Sequence, residues 1–417
     1  MQRRRDYPGW RMVWVLAGTT TVNFGVLLYA FAVILPEMRR DLHASLGELS
    51  GAVSLAIAVS GVIAPLAGAW LDRHGARALM AVGSIVAMAS VAGWSQAHSL
   101  PTLYLAFAGI GVASSAVLYD SAFAVVNTWF ERDRNAALLT VTVVAGLAST
   151  IFLPTTQALI DAAGWRDALL VLAGMCGLTA VPHAIVLRRH PSDHGYAPDG
   201  DEAAAGASPA PEVQHPHGWL HLRDPLLRKA LRLSSVRWLT ASTVAVTTGV
   251  TVVIVYLVSY LHSRGYTPTE AAFGAGAIGV LSVSGRVVLT AAARRLRLAR
   301  IAALMVAAQV VGLLLLMVVP RPWGLVLFVA TFGAGFGVMT IARAALLSDY
   351  VPGPVFARVS GVQALVVDVG RVIAPVSAGA LITWTGGYRS MLVAVMACSG
   401  FAAWALVMAD VAESRHT

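Results

Sequence analysis

The chain has 417 residues, 57% hydrophobic and 12% charged, with a formal charge of +9 from 30 Lys and Arg against 21 Asp and Glu. An ordinary soluble domain is roughly one quarter charged, so this composition excludes a soluble enzyme of usual make-up. About 20 apolar residues cross the ~30 Å hydrocarbon core as a helix, and twelve crossings use about 240 positions, leaving short loops and one longer connector.

The Arg-rich Met1–Arg11 leads into a first apolar run at 12–35. That run is too long for a leader core and lacks a small-residue cleavage signature, so it reads as a retained span. Further runs follow at 46–71, 76–96, 101–128, 135–160, 167–187, 236–261, 269–292, 298–319, 322–348, 356–383 and 387–410. The fold expected is an all-α integral membrane protein with twelve spans in two pseudo-symmetric six-helix bundles, 1–187 and 233–417, joined by a cytoplasmic linker at 188–232. With the N-terminus inside, the inner segments hold Arg3, Arg4, Arg5, Arg11, Arg73, Arg77, Arg132, Arg134, the connector cluster from Arg188 to Arg237, Arg294, Arg295, Arg297, Arg300, Arg358 and Arg415. The outer loops hold Arg39, Arg40, Arg166, Arg264, Arg321 and Arg389. Arginine held on the cytoplasmic side is the positive-inside pattern. It places both termini in the cytoplasm, at a cytoplasmic (inner) membrane, and accounts for the basicity without nucleic acid.

The stretch from His190 to His217 is rich in Pro, Ala, Gly and acids and cannot bury a core. The basic stretch Arg223 to Arg232 after it reads as an interfacial helix on anionic headgroups. His190, His194, His215, His217 and His221 fit no compact ligand spacing, and Cys176 and Cys398 form no disulfide framework. No metal or other cofactor is expected. The halves echo one another at an offset of about 222 residues: Asp72 falls opposite Arg294, Asp120 opposite Arg343, and Gly164-Trp165-Arg166 opposite Gly387-Tyr388-Arg389. Duplicated six-span units with a site at the midplane are a transporter architecture.

The loop Gly68-Ala-Trp-Leu-Asp72-Arg73-His-Gly75-Ala-Arg77 resembles the signature loop of the major facilitator superfamily, at the position between spans two and three where that family carries it. With twelve spans and a central connector, the resemblance covers the whole chain. It implies two bundles rocking about a central site, with Asp72, Arg73 and Arg77 forming a latch on the inner side. Gly68 and Gly75 are expected to allow close backbone approach and a tight turn. The second copy keeps Ser284-Gly285-Arg286 and Arg295 but has Arg294 where the pattern wants Asp, so the latch is one-sided.

Drug–proton antiporters of that superfamily carry an Arg in span four where this chain has Leu105, and a Gly-Pro element in span five where Pro154 follows Leu153. Pro8-Gly9-Trp10-Arg11, Tyr29-Ala30-Phe31 and Gly-Trp-Arg before span six look instead like the monocarboxylate transporter and oxalate/formate exchanger branch.

Ionisable residues inside spans are functional candidates, because each costs about 2.5–3.5 kcal/mol on insertion scales. Asp120, Arg286, Arg343, Asp368 and Arg371 are the clearest. The resemblance carries a carboxylate-binding role to Arg286 in span eight and makes Arg371 the nearest match to a span-eleven cation; a loop-anchoring role for either is the alternative. Asp368 and Arg371, three residues apart, share a helix face. They either neutralise each other or let an arriving carboxylate take Arg371 while Asp368 takes a proton. Asp120 is a proton carrier or a bridge to Arg343, which is grouped with the gate. Asn23, Tyr29, Tyr119, Asn127 and Gln157 are polar positions in spans; Asn23, Tyr29 and Tyr119 are retained as substrate contacts.

The branch's usual proton relay does not transfer, since Ser282 and Val33 stand at its Asp and Lys positions. The expected activity is movement of a small organic anion, a monocarboxylate, by proton symport in a chain working as a monomer. Proton-coupled efflux of a hydrophobic or cationic compound is the alternative.

Overall fold

The computed structural model describes residues 7–200, 225–292, 297–351 and 355–414. Side chains at 286–288, 290–292, 340–341 and 357 lie outside that description. Among the described residues there are helices and turns but no strand. This follows from the solvent: in hydrocarbon a helix satisfies its own backbone hydrogen bonds, whereas an open strand edge does not.

Nine helices among the described residues are long and apolar enough to cross a membrane. They include Pro8–Leu42 (span 1), Leu46–His74 (span 2), Ala76–Ser95 (span 3) and Leu100–Trp129 (span 4). The stretch Arg134–Val186, interrupted at Gly146–Leu147 and at Thr179, turns at Gly164 into spans 5 and 6. Ser234–Ser263 (span 7), Leu298–Val318 (span 9), Arg358–Thr385 (span 11) and Tyr388–Glu413 (span 12) follow. Pro268–Ala292 (span 8) and the paired helices Trp323–Phe336 and Val338–Tyr350 (span 10) complete twelve. The chain is a multi-pass membrane protein.

Glycine sets two of the sharp corners. Gly75 (φ 77°, ψ 176°) separates spans 2 and 3, and Gly164 (φ 80°, ψ 163°) separates spans 5 and 6, a backbone region that side-chain-bearing residues essentially do not enter. A Cβ on Gly75 would also stand 2.9 Å from Arg189 Cγ, whereas one on Gly68 would meet nothing within 4 Å. The turn expected of Gly75 is present; Gly68 lies within a helix and is not a point of close approach. Beyond Gly164, Arg166 reaches back to cap the end of span 3, donating to Ser95 O (2.7 Å) and Ala97 O (3.1 Å). That is the local work of the Gly-Trp-Arg triplet.

The helices sort into two compact units. The first comprises Met1–Ala30, Val59–Ala148 and Leu159–Trp219. Its core joins Met12, Leu16, Met80, Val126, Trp129 and Leu187. Deep within it, His183 of span 6 is fully buried. Its Nε2 lies 2.9 Å from Thr19 Oγ1 of span 1, and its Nδ1 lies 3.0 Å from Ser84 Oγ and 3.2 Å from Met80 O of span 3. Thr179 donates to Ser84 Oγ at 2.9 Å. Polar links of this kind tie membrane helices at about 0.6 kcal/mol each on average.

At one rim of this unit Tyr7 is a hub. Its hydroxyl donates to Trp129 O (2.5 Å), and its ring lies 5.7 Å from those of Phe130 and Tyr196. The start of the connector is therefore docked rather than solvated, because Tyr196 and Asp199 supply contacts its composition does not advertise. The Asp199 carboxylate accepts the backbone N–H groups of Arg132 (2.8 Å), Asp133 (3.1 Å) and Glu131 (3.2 Å). Partial desolvation alone would raise its pKa, but these donors and the charge of Arg132 hold the carboxyl below its ordinary value.

The second unit comprises Leu220–Thr417 with Phe31–Ala58 and Ser149–Ala158. Two seams join those excursions to it. Ser50 Oγ lies 3.1 Å from Pro375 O, which also accepts from Tyr256 Oη at 2.8 Å, and a Cβ on Gly379 would stand 2.9 Å from Gly47 Cα. Thr150 donates to Gly276 O at 2.7 Å. Small residues let these backbones approach, as close packing in lipid requires. The unit boundary in span 1 falls just after a π-helical turn, Gly25–Tyr29, and that in span 5 just after the break at Gly146 and Leu147. The helix Pro225–Arg232 lies on this unit with Leu227 and Ala230 buried and Lys229 and Arg232 exposed, the amphipathic arrangement expected of the basic connector stretch.

Gly164→Ala is expected to lower stability by about 1–3 kcal/mol through backbone strain alone, read as a lower unfolding midpoint in detergent, whereas Gly68→Ala leaves it unchanged or raises it by up to ~1 kcal/mol. Because the Asp199 pKa is depressed on docking, its contribution is fully present above the ordinary carboxylate pKa of ~4 and is lost as pH falls through the depressed value. Hydrogen exchange at the amides of Glu131 to Asp133 should stay slow at neutral pH and accelerate only in strong acid. In Asp199→Ala it should be several-fold faster at pH 7, in line with about 1 kcal/mol for a solvent-screened charged hydrogen bond.

Candidate functional site

The first unit carries the candidate positions of spans 1 to 4. Asn23 is fully buried; its Nδ2 donates to Thr19 O at 2.9 Å, and its Oδ1 has no partner among the described residues. Two residues later the π-helical turn begins, and half-buried Tyr29 closes it. Such turns interrupt a helix at energetic cost and recur at functional sites. Tyr119 lies against Phe24 (4.6 Å between ring centres) and stacks on Phe123 (4.9 Å).

Asp120 has a local cause that the sequence pattern did not reveal. Span 4 breaks at Leu118 (φ −91°, ψ −160°), so a new helix starts at Tyr119 with Asp120 in its first turn. A carboxylate there faces the positive end of the helix dipole, worth roughly 0.3–1 kcal/mol and more when partly buried. Span 10 is interrupted more mildly at Gly337, whose backbone stays in the right-handed helical region (φ −91°, ψ −4°), and half-buried Arg343 follows in its second helix. Discontinuous helices at matching positions of two halves are a device of transporter sites.

The second unit holds the pair from span 11. Arg371 Nη1 stands 3.2 Å from Asp368 Oδ1, and each side chain is 38% exposed. Neither partner is sealed inside the helix packing by the contact. Arg286 lies in the helix of span 8, but its side chain is outside the described residues. Ser282, one turn before it, is buried and donates to Gly279 O at 2.7 Å.

Of the latch residues, Asp72 and Arg73 are exposed at the end of span 2 and Arg77 is exposed at the start of span 3. Among the described residues no ion pair engages them. The corresponding charges of the second half are arranged differently. Arg294 and Arg295 lie outside the described residues, but Arg297 (3.2 Å) and Arg300 (2.8 Å) both grip the nearly buried Asp410 of span 12. The acid missing from the loop is replaced by one from another helix. Asp410 and His183 both escaped notice on sequence reading, although each is an ionisable residue in or at the end of an apolar run, which is the one signal that marks them.

The sequence matches the Major Facilitator Superfamily over residues 13–375. It is 26% identical over 388 residues to Monocarboxylate transporter 13 of Bos taurus, covering 92% of this chain and 85% of that one. It is 28% identical over 396 residues to Monocarboxylate transporter 3 of Rattus norvegicus, covering 91% and 76%. Among solved structures, a bacterial homolog of the human lysosomal transporter Spinster shares the fold with a TM-score of 0.70 at 13% identity, over 98% of this chain and 97% of that one. The apolar helices, the paired mid-span breaks and this match over most of the length agree: the chain belongs to the major facilitator superfamily and is one of its transporters.

Proposed function

We propose that this transporter moves a small organic anion of the monocarboxylate class by alternating access, in symport with a proton. The observation that carries the reading is the Asp368–Arg371 pair at 3.2 Å within span 11. A guanidinium offers two parallel donors that match a carboxylate. An arriving anion that takes Arg371 leaves Asp368 without its counter-charge, and a proton bound there restores neutrality. Anion and proton then enter together. Arg286 acts as the second anion ligand, in keeping with the resemblance to the monocarboxylate branch; Asn23, Tyr29 and Tyr119 contribute polar and aromatic contacts. Asp120 carries the proton or pairs with Arg343 at the gate, and Asp72, Arg73 and Arg77 latch the inner side. The chain works as a monomer in the cytoplasmic membrane with both termini inside.

Uptake into proteoliposomes across a panel of carboxylates and cationic dyes, with and without a pH gradient, tests this reading. Saturable carboxylate uptake is expected to fall by ten-fold or more in Arg371→Gln and in Arg286→Gln, as loss of a charge-assisted pair of about 1.5–3 kcal/mol requires. Dye transport insensitive to both changes would instead favour cation efflux by proton antiport. Asp368→Asn is expected to keep anion exchange between the two sides while losing its response to an imposed pH gradient; an unaltered response removes Asp368 from proton coupling.

A further inference from the structure

A cavity of about 510 Å³ lies in the second unit between the first turns of spans 7 and 11, beside span 12 and under the connector helix. It is separate from the Asp368–Arg371 pair: Asp368 follows Gln363 by five residues, about 140° round the helix. Its walls are apolar, with Val236 and Val244 of span 7, Val366 of span 11, Phe401 of span 12 and Leu231 of the connector helix. Val366 is 46% and Phe401 43% exposed, so this apolar lining is continuous with the protein's outer surface.

The polar groups are three. Arg237 is exposed in the first turn of span 7, and Thr240 lies one turn deeper. Gln363 is 1% exposed. Its Nε2 donates to Thr240 Oγ1 at 3.0 Å, and the Thr240 hydroxyl donates in turn to Val236 O at 2.8 Å. That ordering assigns the amide: Oε1 faces away from Thr240 and has no donor among the described residues. A buried acceptor without a donor calls for one from outside the chain.

We infer that this cavity is a binding site for an anionic glycerophospholipid whose headgroup carries a free hydroxyl. An acyl chain lies along Val244, Val366 and Phe401, the phosphate meets Arg237, and the headgroup hydroxyl donates to Gln363 Oε1. Lys229 and Arg232, exposed on the adjacent connector helix, supply the positive field that gathers such lipids at the same rim. Charge, apolar wall and orphan acceptor each select one part of the same molecule. A bound lipid of this kind joins the connector helix to spans 7 and 11.

The full chain, purified in detergent, is titrated with phosphatidylglycerol, phosphatidylmethanol and phosphatidylcholine of identical chains, following bound lipid by native mass spectrometry and the thermal unfolding midpoint. One phosphatidylglycerol is expected to be retained and to raise the midpoint. Phosphatidylmethanol, a phosphodiester of the same charge without the hydroxyl, should bind several-fold more weakly, and phosphatidylcholine more weakly again. Arg237→Gln is expected to weaken phosphatidylglycerol binding about ten-fold, and Gln363→Leu to erase its advantage over phosphatidylmethanol. Ala241→Leu narrows the groove without touching either polar group and should lower binding of all three lipids, which keeps the test decisive if Gln363→Leu does not fold. Equal binding of the three lipids, equal binding of the two anionic ones, or phosphatidylglycerol binding unaltered in Arg237→Gln and Ala241→Leu would overturn the assignment.

Discussion

The constraint on which everything else rests is that a backbone in hydrocarbon has no water to bond to. The chain answers with helices, and many of its hydroxyl residues answer for themselves: Thr21, Ser114 and Thr251 each donate to a carbonyl one turn back. Departures from the regular helix therefore mark places where something else is being done. The interruptions at Leu118 and Gly337 and the π turn in span 1 lie near Asp120, Arg343 and Tyr29 in the chain, three polar positions assigned roles in the proposed transport.

Charge follows the same logic at two depths. Asp410 sits at the end of span 12, where Arg297 and Arg300 hold it from the rim with their own side chains 56% and 65% exposed. Those guanidiniums keep their hydration while neutralising an almost buried acid, which is the inexpensive way to tie helices at a membrane surface. Asp368 and Arg371 share one helix and are equally exposed, so neither is locked by the other. The first arrangement suits a fastener and the second a pair that exchanges partners.

The architecture was largely legible. Apolar runs located the spans, because a continuous run of some twenty residues has little other use, and the i, i+3 spacing of Asp368 and Arg371 gave their contact directly. The basic, leucine-containing stretch before span 7 gave the connector helix. What escaped depends on partners far away in the chain. His183 meets Thr19 across 164 positions, Asp199 meets Arg132 across 67, and Arg297 meets Asp410 across 113. Glycines divide in the same way: Gly75 and Gly68 look equivalent in the signature loop, but only Gly75 has a backbone that demands glycine. Residue type says that a group needs a partner; the fold says which one.

The π turn at Gly25–Tyr29 bears on span 1 as a whole. One extra residue in a turn sets every later side chain back by about 100° around the helix axis relative to an unbroken α-helix. The stretch Pro8–Phe24 packs in the first unit, and the stretch from Phe31 onward packs in the second. A single unbroken helix would present one fixed stripe to both. With the phase reset between them, each stretch can offer its own apolar stripe to its own unit, and the sequence periodicity of one stretch does not constrain that of the other.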